Sequence, residues 1–262
     1  ALSTANVFET GTNVWRKYDS WPPAAAKPQM LYLRANGKLS FDAPADADGV
    51  DEYVSDPAHP VPFTSYITDT VPQRYMIDDQ RFAAQRADVL VFQTDPLEDN
   101  VTIAGPISPK LFVATSGTDS DFVVKLIDVY PTDYPDPPAP VDTAGKRVLG
   151  PPPIRMGGYQ QLLRAEPFRA KFRNSWEKPE PMTPGKMEKI AFEMPDLHHA
   201  FRRGHRIMVQ VQSTWFPLVD RNPQTFTDIP NAKPEDFKKA TEQVFRSKAA
   251  ASGVEVLVLP QP

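Results

Sequence analysis

The sequence predicts an all-β fold, two packed antiparallel sheets with one late helix and long Pro-rich loops, on three observations. First, 30 of the 262 residues are Pro and only 12 are Gly. A residue that lacks an N–H and clashes with the preceding helical turn cannot be carried at that density by a helical bundle, and a central parallel sheet would lose its ladder at each one. Second, 40% hydrophobic and 10% aromatic residues supply a sizeable core, which a disordered Pro-rich chain lacks. Third, short apolar runs recur between Gly, Pro, Asn and Asp, which is the spacing of strands and turns.

Taken in order, residues 1–28 read as an irregular lead-in segment or interdomain linker, anchored by Trp15, Tyr18 and Trp21 and stopped by Pro22 and Pro23. Residues 29–262 then read as a single domain. Strand candidates follow at 29–34, 38–41, 88–94, 100–103 and 110–115, each bounded by turn formers. Over 121–130, Phe122, Val124, Leu126 and Asp128 fall on one face and Val123, Lys125, Ile127 and Val129 on the other. Both faces are largely apolar, so this strand is central. A Pro-dense insertion over 130–153 separates it from strands at 159–170, 186–194 and 205–214. In the last, Ile207, Val209 and Val211 oppose Met208, Gln210 and Gln212, which turns one face to solvent or to a partner. Pro234 in a first turn, with Phe237, Ala240, Thr241, Val244 and Phe245 at helical spacing, predicts the late helix. Gly253 then releases the chain into a strand at 254–259.

Charge and composition exclude several functions. Lys plus Arg (29) against Asp plus Glu (33) leaves a formal charge of -4, and without a basic stripe no nucleic acid partner is expected. The absence of Cys removes disulfides, thiolate metal sites and Cys nucleophiles together. No apolar run reaches bilayer-spanning length, so no membrane partner is expected. The start at Ala1 is neither a Met nor a signal peptide, and the chain reads as a piece of something longer.

Candidate chemistry is sparse. None of the twelve Ser sits in a Gly-x-Ser-x-Gly turn, Ser116 before Gly117 lacking the leading Gly, so an independent triad is not expected. His198 and His199 are adjacent and cannot share a face, which speaks against zinc; they read as a solvated turn before Phe201. His205 reads as a structural hydrogen-bonding residue. Asp46, Asp48 and Asp51, followed by Glu52, space carboxylates as a calcium loop does but lack the full twelve-residue pattern. A structural calcium and a solvated turn therefore both stay open, and no other cofactor is expected. Asp119, Asp121 and Asp128 form a second acidic group, with turn capping as its role. Trp176 and Trp215 are either sugar-stacking platforms or core plugs.

Several segments carry a resemblance. Residues 204–223 (GHRIMVQVQSTWFPLVDRNP), 56–62 (DPAHPVP), 79–81 (DQR) and 118–129 (TDSDFVVKLIDV) resemble, in order, the C-terminal domain of Xaa-Pro dipeptidyl peptidases. Residues 75–82 (YMIDDQRF), 158–164 (GYQQLLR) and 171–175 (KFRNS) make the chain most similar to α-amino acid ester hydrolases and glutaryl cephalosporin acylases, with cocaine esterases more distant. The resemblance implies a jelly roll with a galactose-binding-like fold, packed beside an upstream or separate α/β-hydrolase domain that carries the Ser, Asp and His. No catalytic residue is then expected in this chain. It implies that the stretch from Pro62 to Asp79 walls the acyl pocket, with Phe63, Tyr66, Tyr75 and Met76 as contact candidates. A periplasmic or secreted location and a homo-oligomer are compatible with it. The competing expectations are a carbohydrate-binding module and a structural oligomerisation domain.

Overall fold

The strand Asp121–Val129 is buried on both faces along its whole length, and that decides the architecture. Phe122, Val124 and Leu126 enter the main core, whereas Val123, Ile127 and Val129 enter a second apolar cluster on the opposite side. The computed structural model describes residues 4–138, 143 and 154–261. Its strands are β1 (Ala5–Glu9), β2 (Val14–Tyr18), β3 (Lys27–Arg34), β4 (Lys38–Ser40), β5 (Val50–Ser55), β6 (Val89–Gln93), β7 (Val101–Thr115), β8 (Asp121–Val129), β9 (Gln160–Arg169), β10 (Glu188–Ala191), β11 (Met194–Phe201), β12 (Arg206–Gln212), β13 (Ala240–Phe245) and β14 (Gly253–Leu259).

The hydrogen-bonded order is β5-β13-β7-β14-β3-β4-β6-β12-β8-β9, with β10 and β11 on the other edge of β7. Three-residue β4 joins β6 through one parallel bridge, Lys38 to Gln93, while the other strand pairings are antiparallel. The path turns over at that junction into two layers. Leu31, Ile107 and Val254 from one layer and Phe122, Val209 and Val211 from the other share a single core, the arrangement of an all-β sandwich.

Several expectations are corrected. The late helix is absent: Pro234–Asp236 is one 3-10 turn, and Ala240–Phe245 is a strand between β5 and β7. Ala240, Glu242 and Val244 are buried and alternate with less buried neighbours. The same residues satisfy a helical spacing, but Thr241, Val244 and Phe245 suit a pleated surface, and two partner strands settle the matter. The lead-in segment is not irregular, since β1 and β2 form a hairpin in antiparallel register. Its Thr10 exchanges backbone hydrogen bonds with β11, Thr10 to His198 O at 3.1 Å and Ala200 to Thr10 O at 2.9 Å. The expected strands at 100–103 and 110–115 are one strand, β7. It bends at Gly105, whose φ of 137° admits few side chains and where a Cβ would meet Leu257 at 2.8 Å. Both neighbours slip register opposite this bend. Of the Pro-dense insertion, 139–142 and 144–153 lie outside the described residues.

Candidate functional site

The outer face of β6, β12, β8 and β9 is covered by the segment 57–86, and this cover carries the residues singled out from sequence. Its first anchor is a short parallel bridge between Pro62 and Phe216, with Val61 N–H donating to Thr214 Oγ1 at 2.7 Å and Phe63 N–H to Phe216 O at 2.9 Å. Phe63 is buried, edge-on to Tyr75, and Tyr75 is edge-on to Trp215. The second anchor is β9. Gln80 N–H donates to Gln160 O at 2.9 Å, Gln160 N–H to Asp79 Oδ1 at 3.2 Å, and Tyr159 hydroxyl to Ile77 O at 3.1 Å.

Between these anchors the chain runs out and back, with a 3-10 turn at Gln73–Ile77. The buried Asp78 carboxylate fixes the excursion: it accepts from Tyr66 hydroxyl at 3.0 Å and from Arg74 Nε at 2.8 Å. Large apolar side chains face outward here among the exposed polar residues Ser65, Asp69, Thr70, Gln73 and Arg74. Tyr66, Val71, Met76 and Ile77 are exposed and Ile67 wholly so. Of the four residues named from sequence, Tyr66 and Met76 are therefore at the surface, whereas Phe63 and Tyr75 act as anchors beneath it. Ile67, Val71 and Ile77 were not singled out, because Thr, Asp and Pro around them mark a loop, where an apolar residue carries no periodic signal.

A groove of about 470 Å³ continues this surface, lined by Val7, Phe8, Met76, Ile77, Leu163 and Arg164 among others. Phe8 packs edge-on against Trp15, which is 68% exposed. The hairpin and the 57–86 cover thus extend one apolar surface, larger than scattered single side chains make.

The other candidates are placed as follows. Asp46 and Asp48 are exposed, while Asp51 lies on β5 with its carboxylate held by Arg246 Nε at 2.7 Å; among the described residues no group of three potential metal ligands converges. His198 and His199 are not in a solvated turn but buried in β11, pointing to opposite sides. His198 Nε2 meets Tyr18 hydroxyl at 3.0 Å, and His199 Nε2 meets Asp128 Oδ2 at 3.2 Å. Asp128 also takes His205 Nδ1 at 2.9 Å, so His205 is a structural hydrogen-bonding residue as expected, and the two rings hold the Asp128 carboxyl below its usual range against the opposing pull of burial. Asp119 and Asp121 are buried and bridged by Asn222 Nδ2 at 3.1 and 2.8 Å. Burial and the neighbouring Asp121 raise Asp119 to about 6. Trp176 is 73% exposed and stacked on Phe172, whereas Trp215 is buried. Among the described residues no Ser hydroxyl hydrogen-bonds a His ring; Ser116 Oγ accepts from Thr241 N–H at 2.8 Å.

Comparison with known proteins identifies the family. Residues 2–255 match the X-Pro dipeptidyl-peptidase C-terminal non-catalytic domain. The chain is 28% identical over 267 residues to the cocaine esterase of Rhodococcus sp. (strain MB1 Bresler), covering 97% of this chain and 41% of that esterase. It superposes with a TM-score of 0.89 and 41% identity on an aminopeptidase from the marine sediment archaeon Thaumarchaeota archaeon, over 98% of this chain and 41% of the other. An α-amino acid ester hydrolase gives a TM-score of 0.86 and 40% identity, over 97% and 40%. The chain spans about two-fifths of the length of these relatives.

Proposed function

Since the chain belongs to the family of X-Pro dipeptidyl-peptidase C-terminal non-catalytic domains, we propose that it serves a serine ester or amide hydrolase as a catalytically silent accessory domain that buttresses the catalytic part and walls its acyl pocket through the excursion over 62–79. One observation carries this reading: Tyr66, Ile67, Val71, Met76 and Ile77 are held outward on a segment whose two ends are pinned to the sandwich. A loop that merely connected strands would turn its polar residues to water and keep these side chains inside. Rigid presentation of apolar side chains is what a pocket wall needs, because a contact that must first be ordered loses that entropy from binding.

The test has two arms. The isolated chain is assayed on phenylglycine methyl ester and p-nitrophenyl acetate, with no turnover expected. In the α-amino acid ester hydrolase of 40% identity, the corresponding two-fifths is then exchanged for this chain, with and without Ile67→Ala and Met76→Ala. These substitutions are expected to shift KM by roughly 10- to 200-fold in a way that depends on acyl size, the effect of about one to three kcal/mol that a methylene-scale change in a hydrophobic pocket brings. Turnover by the chain alone, or a chimera indifferent to both substitutions on every ester tried, overturns the proposal.

A further inference from the structure

A large charged side chain, Lys125, lies in the middle of the covered face. It lies on β8, is wholly buried, and faces Gln210 across the β12 ladder and Ala165 across the β9 ladder. Its ammonium nitrogen donates to Gln80 Oε1 at 3.0 Å and sits 5.7 Å from the centroid of a Trp215 ring. Among the described residues no carboxylate faces it. β12 and β9 offer Gln210 and Ala165, the turn after β12 offers Trp215, and the cover offers Gln80. The carboxylates beside Gln80 are engaged by arginines of the cover, Asp78 with Arg74 and Asp79 with Arg81. A cation without a counter-charge in such a place is strongly disfavoured, whereas a neutral amine still donates to Gln80.

From Gln80 the connection runs outward. Its Nε2 donates to Asp78 O at 2.9 Å, and the Asp78 carboxylate holds Tyr66 and Arg74. We infer that Lys125 is a positioning residue for the 62–82 segment: as a neutral amine it docks the segment through Gln80 and Asp78, and its protonation releases the segment together with the apolar side chains it presents. The functional meaning of that release rests on the pocket-wall reading, but the release itself is a property of this chain alone. Burial holds the Lys125 amine at about 7, against 10.5 for a free lysine. Opening the segment wets the amine and lets it take up a proton, so between these two values opening becomes harder as pH rises.

The experiment is amide hydrogen exchange on this chain between pH 7 and 9, with protection in 64–80 corrected for the intrinsic pH dependence of exchange. Protection there is expected to rise by up to about tenfold per pH unit, as one linked proton requires, while β8 and β12 in the main core do not follow it. Lys125→Met is expected to make protection over 64–80 independent of pH. If that variant fails to fold, Gln80→Met serves instead, lowering protection over 64–80 while keeping its pH dependence, and the lysine Cε carbon resonance is titrated in the wild-type chain. Flat protection in the wild type, a pH dependence that survives Lys125→Met, or a Lys125 resonance titrating at 10.5 overturns the inference. None of these outcomes bears on whether a catalytic partner exists, which the chimera decides.

Discussion

Replacing Glu242 with Gln isolates one strongly perturbed buried group of the sandwich. Glu242 is wholly buried on β13, opposite Thr115 of β7 and Tyr53 of β5. Its Oε1 accepts from Thr115 Oγ1 at 3.0 Å, and among the described residues its Oε2 has no hydrogen-bond partner at normal distance, the Ser120 hydroxyl lying close by. The charges it feels are those of Asp119 and Asp121, and Arg169 is committed to Asp121 by two hydrogen bonds at 3.0 and 3.1 Å. Burial therefore raises Glu242 from 4.5 to about 8. Across that window the folded chain holds a proton that the unfolded chain has released, so stability falls as pH rises, by about 1.4 kcal/mol per unit. Between pH 5 and 7 this amounts to roughly 3 kcal/mol. Glu242→Gln keeps the acceptor for Thr115, puts amide hydrogens in place of Oε2, and removes the titration. Urea unfolding of both chains at pH 5, 6 and 7 is the assay, and the quantity read is the variant's stability minus that of the wild type. Groups common to both chains, His198 and Asp119 among them, largely cancel in the difference. It should grow by roughly 3 kcal/mol from pH 5 to 7. A difference that stays constant across this range refutes the assignment of a protonated Glu242.

Further outcomes follow from the other buried groups. Asp128→Asn removes the carboxylate charge and one of the two oxygens that His199 and His205 meet and should cost roughly 3–5 kcal/mol near neutral pH; since Asp128 is held below its ordinary 3.8, the deficit read by urea unfolding should shrink as pH falls through that lowered value. Phe63→Ala should cost roughly 3–5 kcal/mol as a core truncation, whereas Ile67→Ala should stay within about 0.5 kcal/mol; equal thermal shifts would contradict the division of the segment into anchor and display. Millimolar calcium followed by EDTA should leave the melting temperature unchanged, because Asp51 is committed to Arg246 and only Asp46 and Asp48 are left free; a calcium-dependent rise would identify a cation loop there.

The two-layer fold was legible wherever alternation met burial on both faces. In β8 and β12 the sequence pattern alone separates Phe122, Val124 and Leu126 from Val123, Lys125 and Ile127, and the structure keeps that division. It failed where two periods fit the same residues: 237–245 satisfies a helix, and only partner strands more than a hundred residues away make it β13. The acidic run before Tyr53 hid an edge strand, because β5 pairs on one side only and can carry Asp51 and Glu52 toward Arg246 and Gln243. The split forced on β7 came from treating Gly105 and Pro106 as a turn, when they mark a bend inside one strand. At the candidate site, the motif singled out the segment from Pro62 to Asp79 but could not sort its aromatics into buried and exposed. Phe63 and Tyr75 reach inward because Trp215 waits beneath them, a contact across 140 residues that no local pattern announces.

The buried ionisable groups also argue that the covered face has been kept for a purpose. The group of Asp119, Asp121 and Glu242 is partly compensated by Arg169, Asn222 and Thr115, and it closes loops around the start of β8, a structural task. Among the described residues Lys125 has no such compensation: one neutral acceptor, an aromatic ring and no opposing charge. An apolar side chain of similar length would bury the same surface without taking an amine out of water. A sandwich under pressure for stability alone has no reason to hold a lysine there. Local violations of this kind collect where function constrains the residue, and this one lies directly under the segment that displays Tyr66, Ile67 and Met76. Position, chemistry and cost thus converge on the same loop from beneath as the exposed apolar surface does from above.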